Sequence, residues 1–91
     1  MATKKQVTLK RSGNVDLWKV LLNGSAVAFN SGSASVKLAP GQHTLQWFVR
    51  GGVGASYALE ITAPPESILK HTAVLDASEK DGGHAWFTVG P

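Results

Sequence analysis

The sequence predicts an all-β fold, built as an antiparallel β-sandwich of about seven to eight strands. Between residues 36 and 61 apolar side chains recur at every second position, which is the period of a half-buried strand. Turn residues interrupt the pattern at intervals of about 8 to 12 residues, as they do in antiparallel sandwiches and barrels. The chain has 91 residues, ten of them glycine, which suits one core with many turns. We therefore expect a single domain over residues 1–91, with residues 1–5 as a flexible basic N-terminus.

The first half of the chain contains four predicted strands. Residues 6–11 alternate apolar and polar side chains and are typical of an edge strand with a charged outer side. Residues 15–22 become apolar on both faces, which predicts a central strand or a strand at a homodimer interface. Asn23-Gly24 then predicts a hairpin, because both residues of such a turn need a positive φ. The eight predicted strands are residues 6–11, 15–22, 25–30, 34–38, 43–50, 57–62, 67–77 and 84–89.

The second half is organised by proline and glycine. The Ala39-Pro40-Gly41-Gln42 segment places proline and glycine at the two corner positions that a type II turn requires. Residues 51–56 are interpreted as a flexible hairpin loop, because a strand follows them and they lack the Gly-Lys-Ser/Thr ending of a phosphate-binding loop. Pro64-Pro65 ends a strand, since proline has no N–H for the ladder. Residues 67–80 also fit a helical stripe, but their β-branched content and the glycines that follow favour a strand and then a turn over 78–83.

One short segment carries a family resemblance. Residues 38–45, Leu-Ala-Pro-Gly-Gln-His-Thr-Leu, resemble the Leu-x-Pro-Gly-x-His-x-Leu corner of small bacterial immunoglobulin-like, fibronectin-like and PEGA-type sandwich domains. The resemblance implies an immunoglobulin-like sandwich, a non-catalytic role and an extracytoplasmic or cell-surface location. The chain differs from antibody-type domains because it has no cysteine pair and hence no disulfide between the sheets.

Composition restricts the possible partners. With 43% hydrophobic and 16% charged residues, the chain has the composition of a folded protein. The absence of cysteine excludes disulfides and thiolate-bound zinc. The net charge is +3, and Lys4, Lys5, Lys10 and Arg11 lie near the N-terminus, where solvated charge is ordinary. Nucleic acid is therefore not the expected partner, and no apolar run approaches the ~18 residues of a membrane span.

No motif predicts catalysis, a cofactor or a metal site. The serines lie outside any Gly-x-Ser-x-Gly elbow. His43, His71 and His84 lack close His-x-His spacing and are expected at the surface or rim. The acidic residues between positions 76 and 81 surround one turn without the pattern of a calcium-binding EF-hand loop. We therefore expect a non-enzymatic protein without a cofactor, and keep a small hydrolase or metal enzyme only as a remote alternative.

Two pairs of adjacent aromatic residues give the functional prediction. Neighbouring residues on a strand point to opposite faces, so Trp47-Phe48 and Trp86-Phe87 must each send one ring away from a two-sheet core. If Trp47 faces inward, Phe48 faces outward, and the more apolar set on the last strand would leave Trp86 outside. Exposed rings beside Arg and Gln suit sugar stacking or burial against a protein. The candidate surface residues are Trp18, Trp47, Phe48, Arg50, Gly52, Tyr57, Trp86 and Phe87.

The predicted function is a non-enzymatic binding or assembly module. It presents an aromatic-bearing sheet face or the loop end of the sandwich to a protein or glycan, and residues 15–22 also suit a homo-oligomer interface. The alternative is a structural spacer or subunit domain with no ligand of its own.

Overall fold

Eight strands form two four-stranded antiparallel sheets in the computed structural model of the protein, which describes residues 3–90. The strands are β1 (Lys5–Gly13), β2 (Leu17–Leu22), β3 (Ser25–Ala26), β4 (Ser33–Leu38), β5 (Gly41–Arg50), β6 (Ser56–Ala63), β7 (Leu69–Val74) and β8 (Lys80–Val89). The strand order is β4–β1–β6–β7 in one sheet and β3–β2–β5–β8 in the other. This architecture confirms the predicted antiparallel β-sandwich. Residues 1 and 2 of the segment predicted to be flexible lie outside the described residues, whereas Lys5 begins β1.

The hydrophobic core lies between the two sheets. Every strand except the two-residue β3 turns alternate side chains inward, and the buried set is mostly aliphatic because such residues fit a pleated, half-buried surface. Removing each large side chain of this kind from water contributes about 1.5 to 3 kcal/mol. The buried residues include Val7, Leu9, Val20, Leu22, Leu45, Trp47, Val49, Tyr57, Leu59, Ile61, Phe87 and Val89.

The strands of residues 36–61 are not paired with one another, so the prediction of hairpins there is wrong. β4 pairs with β1, whereas β5 pairs with β2 and β8. The Pro40-Gly41 corner therefore carries the chain from one sheet to the other, and the loop between β5 and β6 carries it back. Gly41 has the positive φ expected of it, at 133°. Alternation in the sequence identifies the buried face of a strand but not the strand beside it.

β1 is a central strand, which corrects the predicted edge position. It pairs with β4 on one side and with β6 on the other. Its polar side chains point to the outer face of the sheet. A central strand with one solvated face has the same alternation of apolar and polar residues as an edge strand, so the sequence does not separate the two. Gly13 ends β1 with a φ of 120°, and a Cβ at this position would lie 2.2 Å from the carbonyl oxygen of Ser56, so only glycine fits.

Other strand boundaries differ from the prediction. β3 contains only two residues, and the segment after it keeps one backbone hydrogen bond to β2, from the Val27 N–H to the Val20 carbonyl oxygen at 2.9 Å. Val27 and Phe29 pack partly against the core. A short 3-10 helix, Pro65–Ser67, precedes β7, so the strand predicted from residue 67 begins at Leu69. β8 begins at Lys80 and not at residue 84. The predicted Asn23-Gly24 hairpin between β2 and β3 is confirmed, with positive φ at both residues.

Both ends of the described chain are held together at one end of the sandwich. Lys5 Nζ and the backbone N–H of Gly90 both donate hydrogen bonds to Glu66 Oε2, at 2.8 and 2.9 Å. These donors lower the pKa of Glu66 to about 2, because they stabilise its charged form. Ser67 Oγ donates to the carbonyl oxygen of Thr88 at 2.6 Å. The start of β1, the 3-10 helix and the end of β8 therefore meet at this end.

Candidate ligand-binding face

The outer side of the β3–β2–β5–β8 sheet exposes large apolar side chains, and we call it the aromatic face. Phe48 is 53% exposed and Trp86 is 61% exposed, and Leu17 at the start of β2 is 54% exposed. Polar and charged residues surround them. The residues of the aromatic face are Leu17, Lys19, Leu21, Gln42, Thr44, Gln46, Phe48, Arg50, Lys80, Gly82, His84, Trp86 and Thr88.

The two aromatic pairs are oriented as the alternation predicts. Trp47 and Phe87 point into the core and are 3% and 6% exposed, so Phe48 and Trp86 are the outward rings. Tyr57 is also buried, at 2%. Trp47, Tyr57 and Phe87 are therefore corrected from candidate surface residues to core residues.

Trp18 faces inward at the margin of the sandwich and does not belong to the aromatic face. It is partly buried, and its ring meets Tyr57 edge to face with a centroid separation of 5.4 Å. The Arg11 guanidinium stands 5.5 Å from the centroid of Trp18 and 4.6 Å from that of Phe29. These contacts give Trp18 a packing role. Of the eight candidates, the aromatic face keeps Phe48, Arg50 and Trp86, and Gly52 lies in the exposed loop after β5.

Two consecutive glycines on β8 make room for the two rings on β5. A Cβ on Gly83 would lie 2.7 Å from Trp47 Cζ2, so the buried ring needs the space that glycine leaves. A Cβ on Gly82 would lie 3.1 Å from Phe48 Cδ1 and 2.9 Å from the Trp47 carbonyl oxygen. Phe48 therefore leans over the backbone of Gly82 and leaves part of its ring open to solvent. The sequence prediction assigned these glycines to a turn, and the missed signal is their match with the Trp47-Phe48 pair.

An open cleft of about 610 Å³ adjoins the exposed ring of Phe48. Its lining includes Phe48 and Gly82, the cations Arg50 and Lys80, the hydroxyl of Ser78 and the carboxylate of Asp81. This volume lies within the ~300–1,000 Å³ that is usual for sites of small ligands. The cleft lies at the end of the sandwich opposite Glu66, because β5 runs from Gly41 beside Val89 to Arg50 beside Lys80.

The register of the sheet gathers positive charge around Phe48. Lys19 stands directly opposite Phe48 across the β2–β5 pair, and Arg50 stands opposite Lys80 across the β5–β8 pair. None of the residues of the aromatic face is acidic. Three carboxylates lie at its margin: Asp16 and Glu79 line a smaller hollow beside Arg50, and Asp81 lines the cleft.

A polar network beneath the aromatic face joins the two sheets. Trp47 Nε1 donates to Tyr57 Oη at 3.1 Å, and Tyr57 donates its hydroxyl proton to Asp81 Oδ2 at 2.6 Å. His71 Nε2 lies 3.1 Å from the same hydroxyl. Because the single proton of Tyr57 goes to Asp81, we assign His71 Nε2 as a donor. Burial and the hydrogen bond to Asp81 raise the pKa of Tyr57 to about 12, so this hydroxyl stays protonated and structural.

The three histidines lie in separate parts of the sandwich. His43 Nε2 lies 2.8 Å from the Ala39 carbonyl oxygen and its Nδ1 lies 2.9 Å from Asn23 Nδ2, so it joins two turns. His71 belongs to the network under the aromatic face, and His84 is exposed on that face. Within residues 3–90, no group of three or more His, Asp or Glu side chains is placed to hold a metal ion. The same part of the chain has no helix with the length and apolar character needed to cross a membrane.

No protein-family model matches the chain, and no significant match is found among curated proteins or solved structures. The residues of the aromatic face therefore carry the functional argument alone.

Proposed function

We propose that the protein is a non-enzymatic binding module that holds a glycan or protein partner on the aromatic face. The observation that carries the proposal is that Phe48 and Trp86 expose more than half of their surface on one side of one sheet. Exposed rings of this size cost hydrophobic free energy that a ligand stacked on them would recover.

The contacts around the rings favour a ligand site over accidental exposure. Phe48 has a glycine directly opposite it on β8, so its ring is both supported and open. The network of Trp47, Tyr57 and Asp81 lies under the same region and holds β5 and β8 against the opposite sheet. A site whose supporting residues are fixed loses less conformational entropy when it binds.

The test is a binding screen against immobilised neutral and acidic polysaccharides, with sedimentation velocity on the same samples. Phe48→Ala and Trp86→Ala are expected to weaken binding at least tenfold. Val74→Ala is the matched control, because Val74 is also a mostly exposed apolar residue but lies on the outer side of the other sheet. Because Trp47 is buried and Trp18 partly buried, a ligand on the aromatic face should change the fluorescence of Trp86.

The alternative of a structural spacer predicts a different result. In that case no polysaccharide or self-association is detected, and the two aromatic variants behave as the Val74 variant does. Concentration-dependent dimerisation that both aromatic variants abolish would identify a second copy of the chain as the partner of the face.

A further inference from the structure

We infer that the ligand of the aromatic face is an acidic glycan, with a sugar ring stacked on Phe48 and an anionic group held by Lys19, Arg50 and Lys80. The inference rests on the proposed function and specifies the ligand of the same face.

Charge is the first argument. Lys19, Arg50 and Lys80 surround Phe48 among outward residues that include no acidic side chain, and none of the three makes a salt bridge within the described residues. Three carboxylates adjoin the site: Asp81 lines the cleft and accepts the Tyr57 hydroxyl, and Asp16 and Glu79 lie beside Arg50. Cations gathered by register without partners raise the local concentration of an anionic ligand. A carboxylate can also accept two parallel hydrogen bonds from the planar guanidinium of Arg50.

The form of the cleft also suits a charged sugar. Phe48 leans over Gly82 and offers the rest of its ring to the cleft, while Arg50, Lys80 and Ser78 line the same space. Asp81 also lines it, with Oδ2 bound by the Tyr57 hydroxyl. The C–H groups on one face of a pyranose pack on an aromatic ring, and the substituents at its rim remain free for polar contacts. One sugar unit with a carboxylate or sulfate therefore satisfies both the ring and the cations.

The second exposed ring makes the site longer than one sugar. Trp86 stands opposite Thr44, which is four residues from Phe48 along β5, so the two positions are about 14 Å apart. Gln46 and His84 lie opposite each other between the two rings. Their amide and imidazole groups match the hydroxyl groups of an intervening sugar.

The same geometry is less suited to nucleic acid and to protein. The cations lie only at the Phe48 end, whereas Trp86 stands beside Thr44 and Thr88, and a strand with a phosphate on every nucleotide needs cations along its whole track. Protein interfaces have an apolar centre where their binding energy is concentrated. Here the polar pair of Gln46 and His84 separates the two rings.

The experiment measures binding to soluble polygalacturonate, alginate and hyaluronate by calorimetry. Fully methyl-esterified polygalacturonate is the matched ligand, because it keeps the sugar backbone and removes the charge. We expect binding to at least one acidic polymer, at least tenfold weaker binding to its uncharged counterpart, and a loss of affinity at high salt. Arg50→Gln with Lys80→Gln should weaken acidic binding at least tenfold, and the Lys37→Gln with Lys70→Gln control on the other sheet should not.

Each other outcome overturns the inference in a recognisable way. Binding of neutral polysaccharides that depends on Phe48 but not on the cations overturns the inference and leaves the proposed function standing. Tighter binding of oligo(dT) than of every acidic glycan identifies nucleic acid as the ligand. If dextran sulfate binds as tightly as the acidic glycans and Phe48→Ala does not weaken its binding, charge attraction alone explains the affinity and the inference is overturned. No binding of any glycan, with no effect of Phe48→Ala on self-association, overturns both proposals.

Discussion

The two outer faces of the sandwich are built on the same kind of sheet but differ in what they expose. The outer side of the β4–β1–β6–β7 sheet, here called the polar face, carries mainly hydroxyl, amide and charged side chains, with Val74 exposed on β7 and Ile68 exposed just before that strand. Its outward residues include Gln6, Thr8, Lys10, Ser35, Lys37, Glu60, Thr62, Lys70 and Thr72. The aromatic face exposes Phe48, Trp86 and Leu17.

This difference separates folding from function. The polar face shows that a sheet of this sandwich needs no outward ring to be stable, because its inward residues already supply the core. We therefore expect the fold not to depend on Phe48 and Trp86, in keeping with the proposal that they bind a ligand. The following predictions test whether inner and outer residues are as independent as this argument needs.

The largest expected effect comes from a pair of neighbouring residues on β5. Trp47→Ala removes a buried ring and is expected to lower the free energy of unfolding by about 3 to 5 kcal/mol. Phe48→Ala removes an exposed ring and should cost less than about 1 kcal/mol. Urea unfolding of the two variants measures both values. If Phe48→Ala lowers the free energy of unfolding as much as Trp47→Ala does, Phe48 is needed for folding. The contrast between inner and outer residues of β5 is then wrong.

The network under the aromatic face predicts a loss of stability at high pH. The pKa of Tyr57 is about 12 in the folded protein and about 10 in the unfolded chain, so between these values the unfolded chain releases its proton first. The contribution of Tyr57 is therefore complete below pH 10 and is lost as the pH rises to 12, by up to about 3 kcal/mol. Urea unfolding at pH 9 and pH 11.5 measures the change. Tyr57→Phe should reduce this pH dependence, and an unchanged slope would mean that other groups cause it.

A smaller effect is expected from Gly82→Ala, which places a methyl group between Phe48 and the backbone of β5. The added Cβ would press on the Trp47 carbonyl oxygen at 2.9 Å and on the Phe48 ring at 3.1 Å, so we expect a cost of about 1 to 2 kcal/mol and a displaced ring. Gly52→Ala is the control, since a Cβ there meets nothing within 4 Å. Unfolding free energies and the chemical shifts of the Phe48 ring protons check the two variants. Unmoved Phe48 shifts would show that the ring does not rest on Gly82.

The sequence predicts which side chains of a strand share a face, but it does not predict which strands pair with one another. Alternation predicts that one ring of each adjacent aromatic pair points outward, because this follows from the pleat of a single strand. Burial in the structure identifies the outward rings as Phe48 and Trp86. The gathering of Lys19, Arg50 and Lys80 depends instead on the register of three strands, which no local pattern contains.

Residues that interact across the sandwich were the hardest to place. The sequence predicts Tyr57 as a surface residue, but the structure buries it. Its hydroxyl can be buried because Trp47, His71 and Asp81, from three other strands, supply its hydrogen-bond partners. The sequence places Gly82 and Gly83 in a turn, since glycine weakens a strand. The rings of Trp47 and Phe48, which explain why glycine is needed on β8, lie far away in sequence.

The shared anchoring of Lys5 and Gly90 by Glu66 has a practical consequence for displaying the protein. The sandwich is 48 Å long, and the cleft beside Phe48 lies towards the end remote from that anchor. A tether that reaches the sandwich at Lys5 or at Gly90 therefore joins it at the same pole. The protein immobilised through either of these points should present the cleft to the solution with equal ligand capacity.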